Sequence, residues 1–280
     1  MSADRYLFKR ALRPFSFSVA LVVCGTGILA AYRAGYSDGF LASLILIAGL
    51  ALQAGVNLIN DYSDLESVKS DLIAVSRIRR NFLLGNGCFL LAAGIGLYLI
   101  LSSGPALLWI SLIGILGALG YTLEPINYKR RGLAVFLVFW LMGVLMVTGA
   151  YYVFAADVTL TVFLLSLPVS LFTSLLLLSN EIRDYESDRD DGIKTLTVRI
   201  GLRAGTILYC VSLFAIYLIS FGLSIMDILP MAFWVFLSFP LALFPLKFIS
   251  KPAQMRTPVT PATGLAFMGF GAVYCSAFLF

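Results

Sequence analysis

Residues 159–191 read TLTVFLLSLPVSLFTSLLLLSNEIRDYESDRDD. The part from 159 to 182 is predominantly apolar, and most of its polar residues are Ser and Thr. It is long enough to cross a hydrocarbon core as a helix, which takes about 20 residues. Clustered acidic residues follow immediately. The stretch therefore predicts a membrane-spanning helix that ends in several carboxylates.

Apolar stretches of similar length recur along the chain. Of the 280 residues, 60% are hydrophobic and only 12% are charged, whereas soluble domains carry about 25% charged residues. The predicted fold is therefore all-α: a polytopic membrane bundle forming one domain, 1–280, with loose halves 1–131 and 132–280. The nine predicted crossings are 14–34, 39–60, 82–102, 105–124, 132–154, 159–182, 204–223, 228–249 and 262–280.

The basic residues predict the orientation of these crossings. With the N-terminus in the cytoplasm, Arg33 is the one exception among 20 Lys and Arg that otherwise face the cytoplasm. Such a bias is typical of cytoplasmic loops. It predicts a multi-pass protein of the cell membrane, and it explains the net charge of +5 by topology and anionic lipid rather than by a nucleic-acid partner. Histidine is absent, which excludes His-based catalysis and most zinc sites.

The second and sixth predicted crossings end in matching polar patterns. In each, an Asn precedes an Asp by four residues, and another Asp follows three or four residues later; the residues are Asn57, Asp61, Asp64, Asn180, Asp184 and Asp188. These offsets align side chains on one helix face. Carboxylates at a helix C-terminus meet its partial negative charge, so a cation is needed to offset them. Hard oxygen ligands suit Mg²⁺ shared with substrate phosphates.

A solvated acidic rim is the alternative interpretation of these residues. It would be favoured for a single acidic loop, but two matching patterns at membrane-helix ends favour a functional pair. Basic residues that could neutralise a diphosphate lie in the same predicted loops. They are Arg77, Arg79, Arg80, Lys129, Arg130, Arg131, Lys194 and Arg199.

Together these motifs resemble those of UbiA-type intramembrane prenyltransferases. The run from Asn180 to Gly201 is similar to the branch that prenylates 1,4-dihydroxy-2-naphthoate in menaquinone synthesis, and Arg13-Pro14 and Tyr121-Thr122 also match. The chain departs from the pattern after Asp64, where the next acid of the motif is replaced by Val68 and an Asp appears only at position 71.

The resemblance implies nine helices, two bound Mg²⁺ and specific residue roles. Asp61, Asp64, Asp184 and Asp188 would be catalytic and, with Asn57 and Asn180, would hold the metals. The residues that would contact the diphosphate are Tyr121, Arg80, Lys129, Arg130 and Lys194.

The implied reaction is Mg²⁺-dependent transfer of a polyprenyl group from an allylic prenyl diphosphate to an aromatic acceptor. The predicted acceptor is 1,4-dihydroxy-2-naphthoate; 4-hydroxybenzoate, homogentisate, a chlorophyllide and a glycerol-phosphate lipid stay open. A CDP-alcohol phosphotransferase is disfavoured because the sequence after Asp38-Gly39 lacks the required Arg. A secondary transporter is disfavoured because the acids lie at the membrane edge rather than at its midplane. The oligomeric state is not predicted.

Overall fold

A computed structural model describes residues 3–13, 16–65, 68–122 and 125–280, and within these ranges the chain contains helices and turns but no β-strand. The predicted all-α class is confirmed. The main helical segments of the described part are α1 Phe17–Arg33, α2 Gly39–Asn60, α3 Leu72–Ser103, α4 Ala106–Thr122, α5 Ala134–Ala155, α6 Leu160–Arg183, α7 Leu202–Ile225, α8 Pro230–Ile249 and α9 Ala253–Leu279.

Most of these segments could cross a membrane. In the described part of the chain, seven have the length and apolar composition for it: α2, α3 and α5 to α9. The α1 helix and the Ala106–Ala118 part of α4 are apolar but shorter. A multi-pass membrane protein is therefore confirmed, whereas the count of nine crossings stays a prediction. Parts of the first and fourth predicted crossings, at 14–15 and 123–124, lie outside the described residues.

The start of α3 corrects the predicted boundaries. The stretch 61–81 was expected to be a loop, but the helix begins at Leu72 rather than at residue 82. Asp71 is the reason, because its carboxylate accepts hydrogen bonds from the backbone N–H groups of Ile73, at 3.1 Å, and Ala74, at 3.0 Å. An N-cap satisfies donors that the first helical turn leaves unpaired. Hydropathy alone misses this polar part of the helix.

Asp71 is thus expected to stabilise the helix and to take no part in catalysis. Asp71→Ala should lower stability by about 1 kcal/mol, whereas Asp71→Asn should preserve it because asparagine caps equally well. In detergent, the alanine variant should melt about 2–4 °C lower. Both variants should keep full turnover; loss of activity in the stable asparagine variant would instead make Asp71 part of the site.

The α6 helix is the most buried of the candidate spans and lies at the centre of the bundle. The α1 helix packs against α2, α5, α6 and α9, so it contacts both helices that end in the acidic motifs. At two helix contacts, α1 with α5 and α5 with α6, the backbones are so close that only glycine fits. A Cβ on Gly27 of α1 would come within 2.4 Å of the Val147 carbonyl, and one on Gly143 would come within 2.4 Å of Ser170. Small residues at such crossings are typical of membrane helices.

Two segments depart from regular α-helix. Within α5, Phe139–Val144 forms a π-helical stretch that contains Gly143. The α8 segment consists of a 3₁₀ stretch, Pro230–Ser238, and two short α-helices, Phe239–Leu243 and Leu246–Ile249. The break at residues 244–245 coincides with Pro245, which cannot donate a backbone hydrogen bond.

Candidate active site

The first group of candidate residues lies where α2 ends. Asn57 is buried, and its amide nitrogen donates to the Leu12 carbonyl, at 2.8 Å, and to the Ser16 hydroxyl, at 2.7 Å. These bonds fix the orientation of the amide. Its oxygen accepts a longer bond of 3.4 Å from Gln53, so it can serve as a ligand without losing the contacts that hold the side chain.

Asp61 follows directly after α2 and is only 4% exposed. Arg13 donates to its carboxylate across 3.2 Å, and the Asn60 amide lies against the same guanidinium. Burial raises the pKa of the Asp61 carboxyl, while the positive charges of Arg13 and Arg5 lower it. A buried carboxylate of this kind needs a cation beside it, and Arg13 supplies one from within the protein.

Residues 3–13, here called the N-terminal segment, contact the first motif, Asn57-x-x-x-Asp61-x-x-Asp64. The Tyr6 hydroxyl donates to Asp64 at 3.3 Å, and Arg5 forms an ion pair with the same carboxylate, also at 3.3 Å. Asp4 pairs with Arg77 at 3.0 Å on α3. Asp61 and Asp64 are therefore both in contact with basic or hydroxyl groups of the N-terminal segment.

The second group lies where α6 ends. The guanidinium of Arg183 donates two hydrogen bonds to the Asp184 carboxylate, at 2.7 and 2.6 Å. Both side chains are partly exposed, so the pair is worth little to stability. Asp188 lies on the short helix Tyr185–Asp190. Burial raises the pKa of Asp188, the neighbouring Asp184 carboxylate raises it further, and Lys129 lowers it.

The end of α4 lies close enough to the second group for their charges to interact. Tyr121 lies within range of Glu181 and Asp188, and its ring contacts that of Tyr128 edge to face with centroids 5.3 Å apart. Lys129 donates its backbone N–H to the Tyr121 carbonyl at 3.2 Å. Tyr121 and Lys129 thus lie within electrostatic range of Asp188, and their place in one site stays a prediction.

The other predicted diphosphate contacts are at the surface. Arg80, Arg130 and Lys194 are all exposed. The Lys194 carbonyl accepts a hydrogen bond from Arg199, whose side chain covers Gly132. The segment around Gly132 and the segment that follows the second motif are thereby joined. Asn180 is partly exposed, and its carbonyl accepts the backbone N–H of Asp184 at 2.9 Å.

The contacts above stay within each group, and α1 packs against both helices that carry them. Within the described residues, no three acidic side chains converge on one cation position. Mg²⁺ does not require this, because it is commonly held by one or two carboxylates together with phosphate oxygens and water. The donor set of each group, carboxylate and amide oxygens without thiolate or imidazole, fits that ion. A metal site shared by both groups stays a prediction.

Three contacting side chains were not predicted from sequence as site residues. Arg13 belonged to a matching dipeptide, but its pairing with Asp61 joins residues 48 apart. Glu181 is buried and accepts hydrogen bonds from the backbone N–H of Thr197, at 3.0 Å, and from its hydroxyl, at 3.3 Å. Arg256 is fully buried and donates to Glu186. An arginine between the last two predicted crossings was the only sequence signal for it.

Solved structures share this fold. The apo structure of a UbiA homolog from Aeropyrum pernix K1 superposes with a TM-score of 0.68 at 15% identity, over 96% of this chain and 98% of that chain. A UbiA homolog from Archaeoglobus fulgidus bound to GPP and Mg²⁺ gives a TM-score of 0.63 at 15% identity, over 96% and 99%. At these identities the comparison shows the fold alone, which this chain shares with the two UbiA homologs.

The sequence shows the family. Residues 19–271 match the UbiA prenyltransferase family, and this chain belongs to that family and to the prenyltransferase class of enzymes. UbiA prenyltransferase domain-containing protein 1 is 32% identical in Homo sapiens over 261 residues, 88% of this chain and 74% of the relative. The rat protein is 35% identical over 221 residues, 75% of this chain and 65% of its own length.

A bacterial relative is also similar. The 2-carboxy-1,4-naphthoquinone phytyltransferase of Synechocystis sp. is 29% identical over 229 residues, which are 78% of this chain and 74% of the relative. This chain thus spans about two thirds of the rat relative and about three quarters of the other two.

Proposed function

We propose that this chain transfers a polyprenyl group from an allylic prenyl diphosphate to 1,4-dihydroxy-2-naphthoate, a step of menaquinone biosynthesis, with two Mg²⁺ in the site. The observation that carries the proposal is the pair of Asn-x-x-x-Asp patterns at the ends of α2 and α6, inside the region that matches the prenyltransferase family. The naphthoquinone named for the Synechocystis relative and the GPP and Mg²⁺ bound to the Archaeoglobus homolog support the choice of substrates.

In this proposal each of the two motifs binds one of the two Mg²⁺ ions. Asn57, Asp61 and Asp64 would hold one Mg²⁺, and Asn180, Asp184 and Asp188 would hold the other. When bound, the metals supply positive charge that stabilises a diphosphate leaving group. Lys129, Arg130, Lys194, Arg80 and the Tyr121 hydroxyl bind the remaining diphosphate oxygens.

The reaction exchanges one bond for another at the allylic carbon. The C–O bond to the diphosphate breaks and its electron pair leaves with the diphosphate. A ring carbon of the acceptor supplies the pair for the new C–C bond, and this carbon then loses the group it carried: the carboxylate, as CO₂, for a 2-naphthoate, or a proton for other acceptors. The allylic centre must be shielded from water, which would otherwise capture it. The apolar helices α2 and α6, with α1 packed against both, would provide such surroundings next to the two acidic ends.

The site is proposed to open near the cytoplasmic face of the cell membrane, with the N-terminus on the same side. This follows from the positive-inside bias of the sequence. The prenyl tail stays in contact with lipid or apolar side chains, because exposing it to water costs about 0.8 kcal/mol per CH₂.

Product mass tests the proposal directly. Purified full-length protein is incubated with GPP, Mg²⁺ and one aromatic acceptor at a time, and products are measured by mass spectrometry. We expect a prenylated and decarboxylated product from 1,4-dihydroxy-2-naphthoate. Transfer only to 4-hydroxybenzoate or homogentisate would replace the acceptor, and intact GPP with every acceptor and with longer prenyl diphosphates would refute the reaction.

A further inference from the structure

Arg256 lies at the start of α9, between a 3₁₀ turn, Ala253–Met255, and the α-helical part, Val259–Ser276. Its side chain is fully buried, and one terminal nitrogen, Nη2, donates to the Glu186 carboxylate. Within the described residues, the other two nitrogens, Nε and Nη1, are buried without a hydrogen-bond partner. A guanidinium in this environment loses its hydration and recovers only part of it. Stability alone therefore does not explain the pair.

Glu186 belongs to the helix Tyr185–Asp190, which carries the predicted metal ligand Asp188. Six residues are too few to form a stable helix without tertiary contacts. Arg189, on the same helix, pairs with exposed Asp190 and lies over the Tyr185 ring, so its contacts stay within the helix. The Arg256–Glu186 pair joins the helix to a distant part of the chain, 70 residues away.

This pair constrains which face of the helix Asp188 occupies. Residues of an α-helix are about 100° apart, so side chains two positions apart lie about 200° apart, on nearly opposite faces. Holding Glu186 against Arg256 turns Asp188 to the other side of the helix. On that side Asp188 is within electrostatic range of Lys129 and Asp184.

Three of the acidic residues between 184 and 191 form ion pairs with arginines. Asp184 pairs with Arg183, Asp190 with Arg189, and Glu186 with Arg256. Among the described residues, no arginine forms an ion pair with Asp188, although it is partly buried. Of the three carboxylates on the Tyr185–Asp190 helix, Glu186 and Asp190 are paired with arginines, and Asp188 has no arginine partner among the described residues.

We propose that Arg256 is a positioning residue for the second metal-binding motif: through Glu186 it fixes the rotation of the Tyr185–Asp190 helix and so aims Asp188 at the site. The inference rests on the proposed function for the identity of the site. It adds a residue from α9 that touches neither the substrate nor the metal.

Mn²⁺ binding tests the proposal independently of turnover. Free Mn²⁺ is measured by electron paramagnetic resonance in titrations of full-length protein in detergent. Arg256→Gln and Glu186→Gln should each raise the Kd for Mn²⁺ by about 10- to 100-fold, the range found when groups behind metal ligands are removed. Arg256→Lys, which keeps the charge, should recover part of the loss, and the double glutamine variant should be no weaker than the worse single one.

Arg189→Gln is the matched control, because Arg189 lies on the same helix but its ion-pair partner is the exposed Asp190. Its Kd for Mn²⁺ should stay within about twofold of wild type, as expected for a surface pair. In turnover assays, Arg256→Gln should raise the Mg²⁺ concentration for half-maximal rate while kcat at saturating Mg²⁺ falls much less. A purely structural role would lower the amount of folded enzyme instead.

The outcomes separate the two proposals. Folded Arg256→Gln and Glu186→Gln variants that bind Mn²⁺ as tightly as wild type would overturn the positioning role. If Arg256→Gln does not fold, Glu186→Gln decides alone, since that side chain is 37% exposed and its amide keeps the shape. If the variants show the expected increases in the Kd for Mn²⁺ but the wild-type protein transfers no prenyl group, the proposed function is refuted and the positioning role is supported.

Discussion

Asp61→Asn and Asp184→Asn are each expected to lower prenyl transfer by more than about 100-fold. Groups behind metal ligands already change metal affinity by about 10- to 100-fold, so a ligand itself should matter more. Asparagine keeps the shape of the side chain and removes the charge that would bind Mg²⁺. Initial rates at saturating GPP and Mg²⁺ measure the loss.

These variants should remain folded. Arg13 is 40% exposed, so water can hydrate its guanidinium when Asp61 is neutralised. The Arg183–Asp184 pair is also partly exposed. Asp190→Asn is the matched control in the second motif, because Asp190 pairs only with exposed Arg189 among the described residues and should be dispensable. Equal melting temperatures with normal turnover in Asp61→Asn would exclude the proposed metal ligand.

Removing divalent metal is the second change with a large expected effect. Incubation with EDTA should abolish transfer, and added Mg²⁺ in excess of the chelator should restore it. The reason is electrostatic: the leaving diphosphate develops negative charge next to four carboxylates, and without metal the basic residues alone must offset both. Product formation by mass spectrometry is the measurement.

EDTA already saturated with Mg²⁺ serves as the control, because it has the same ionic strength and contact with the protein without removing metal. Turnover that continues when the molar concentration of divalent metal is below that of the enzyme would contradict the proposed chemistry. The same protein should regain its rate on dialysis into Mg²⁺, which separates metal loss from denaturation.

The helices were the part of the fold most accessible from sequence. The second crossing was predicted as 39–60, and α2 is Gly39–Asn60. There the apolar run and a strong N-cap coincide, since Asp38 accepts from the backbone N–H groups of Phe40 and Leu41. In α3 these signals separate. The helix continues past the apolar run to the cap at Asp71, and the hydropathy pattern stops short of it.

The site was only partly accessible because its contacts are between distant residues. The positions of Asp61 and Asp184 at helix ends follow from the local pattern. In the N-terminal segment, Tyr6 donates a hydrogen bond to Asp64, which is 58 positions away. No sequence periodicity predicts a pairing between residues so far apart. The same holds for Arg256, whose sequence position suggested only a cytoplasmic charge.

The packing of α1 has a consequence for how the two acidic ends can work together. The α1 helix contacts both α2 and α6, the helices that end in the two acidic motifs. At Gly27 there is no room for even one added carbon on the side that faces α5. A bulkier residue there must displace α1 or its neighbour α5, and a close-packed interior transmits such strain. Through the contacts of α1 with α2 and α6, a substitution among apolar residues is therefore expected to disturb both acidic helix ends without touching a charged residue.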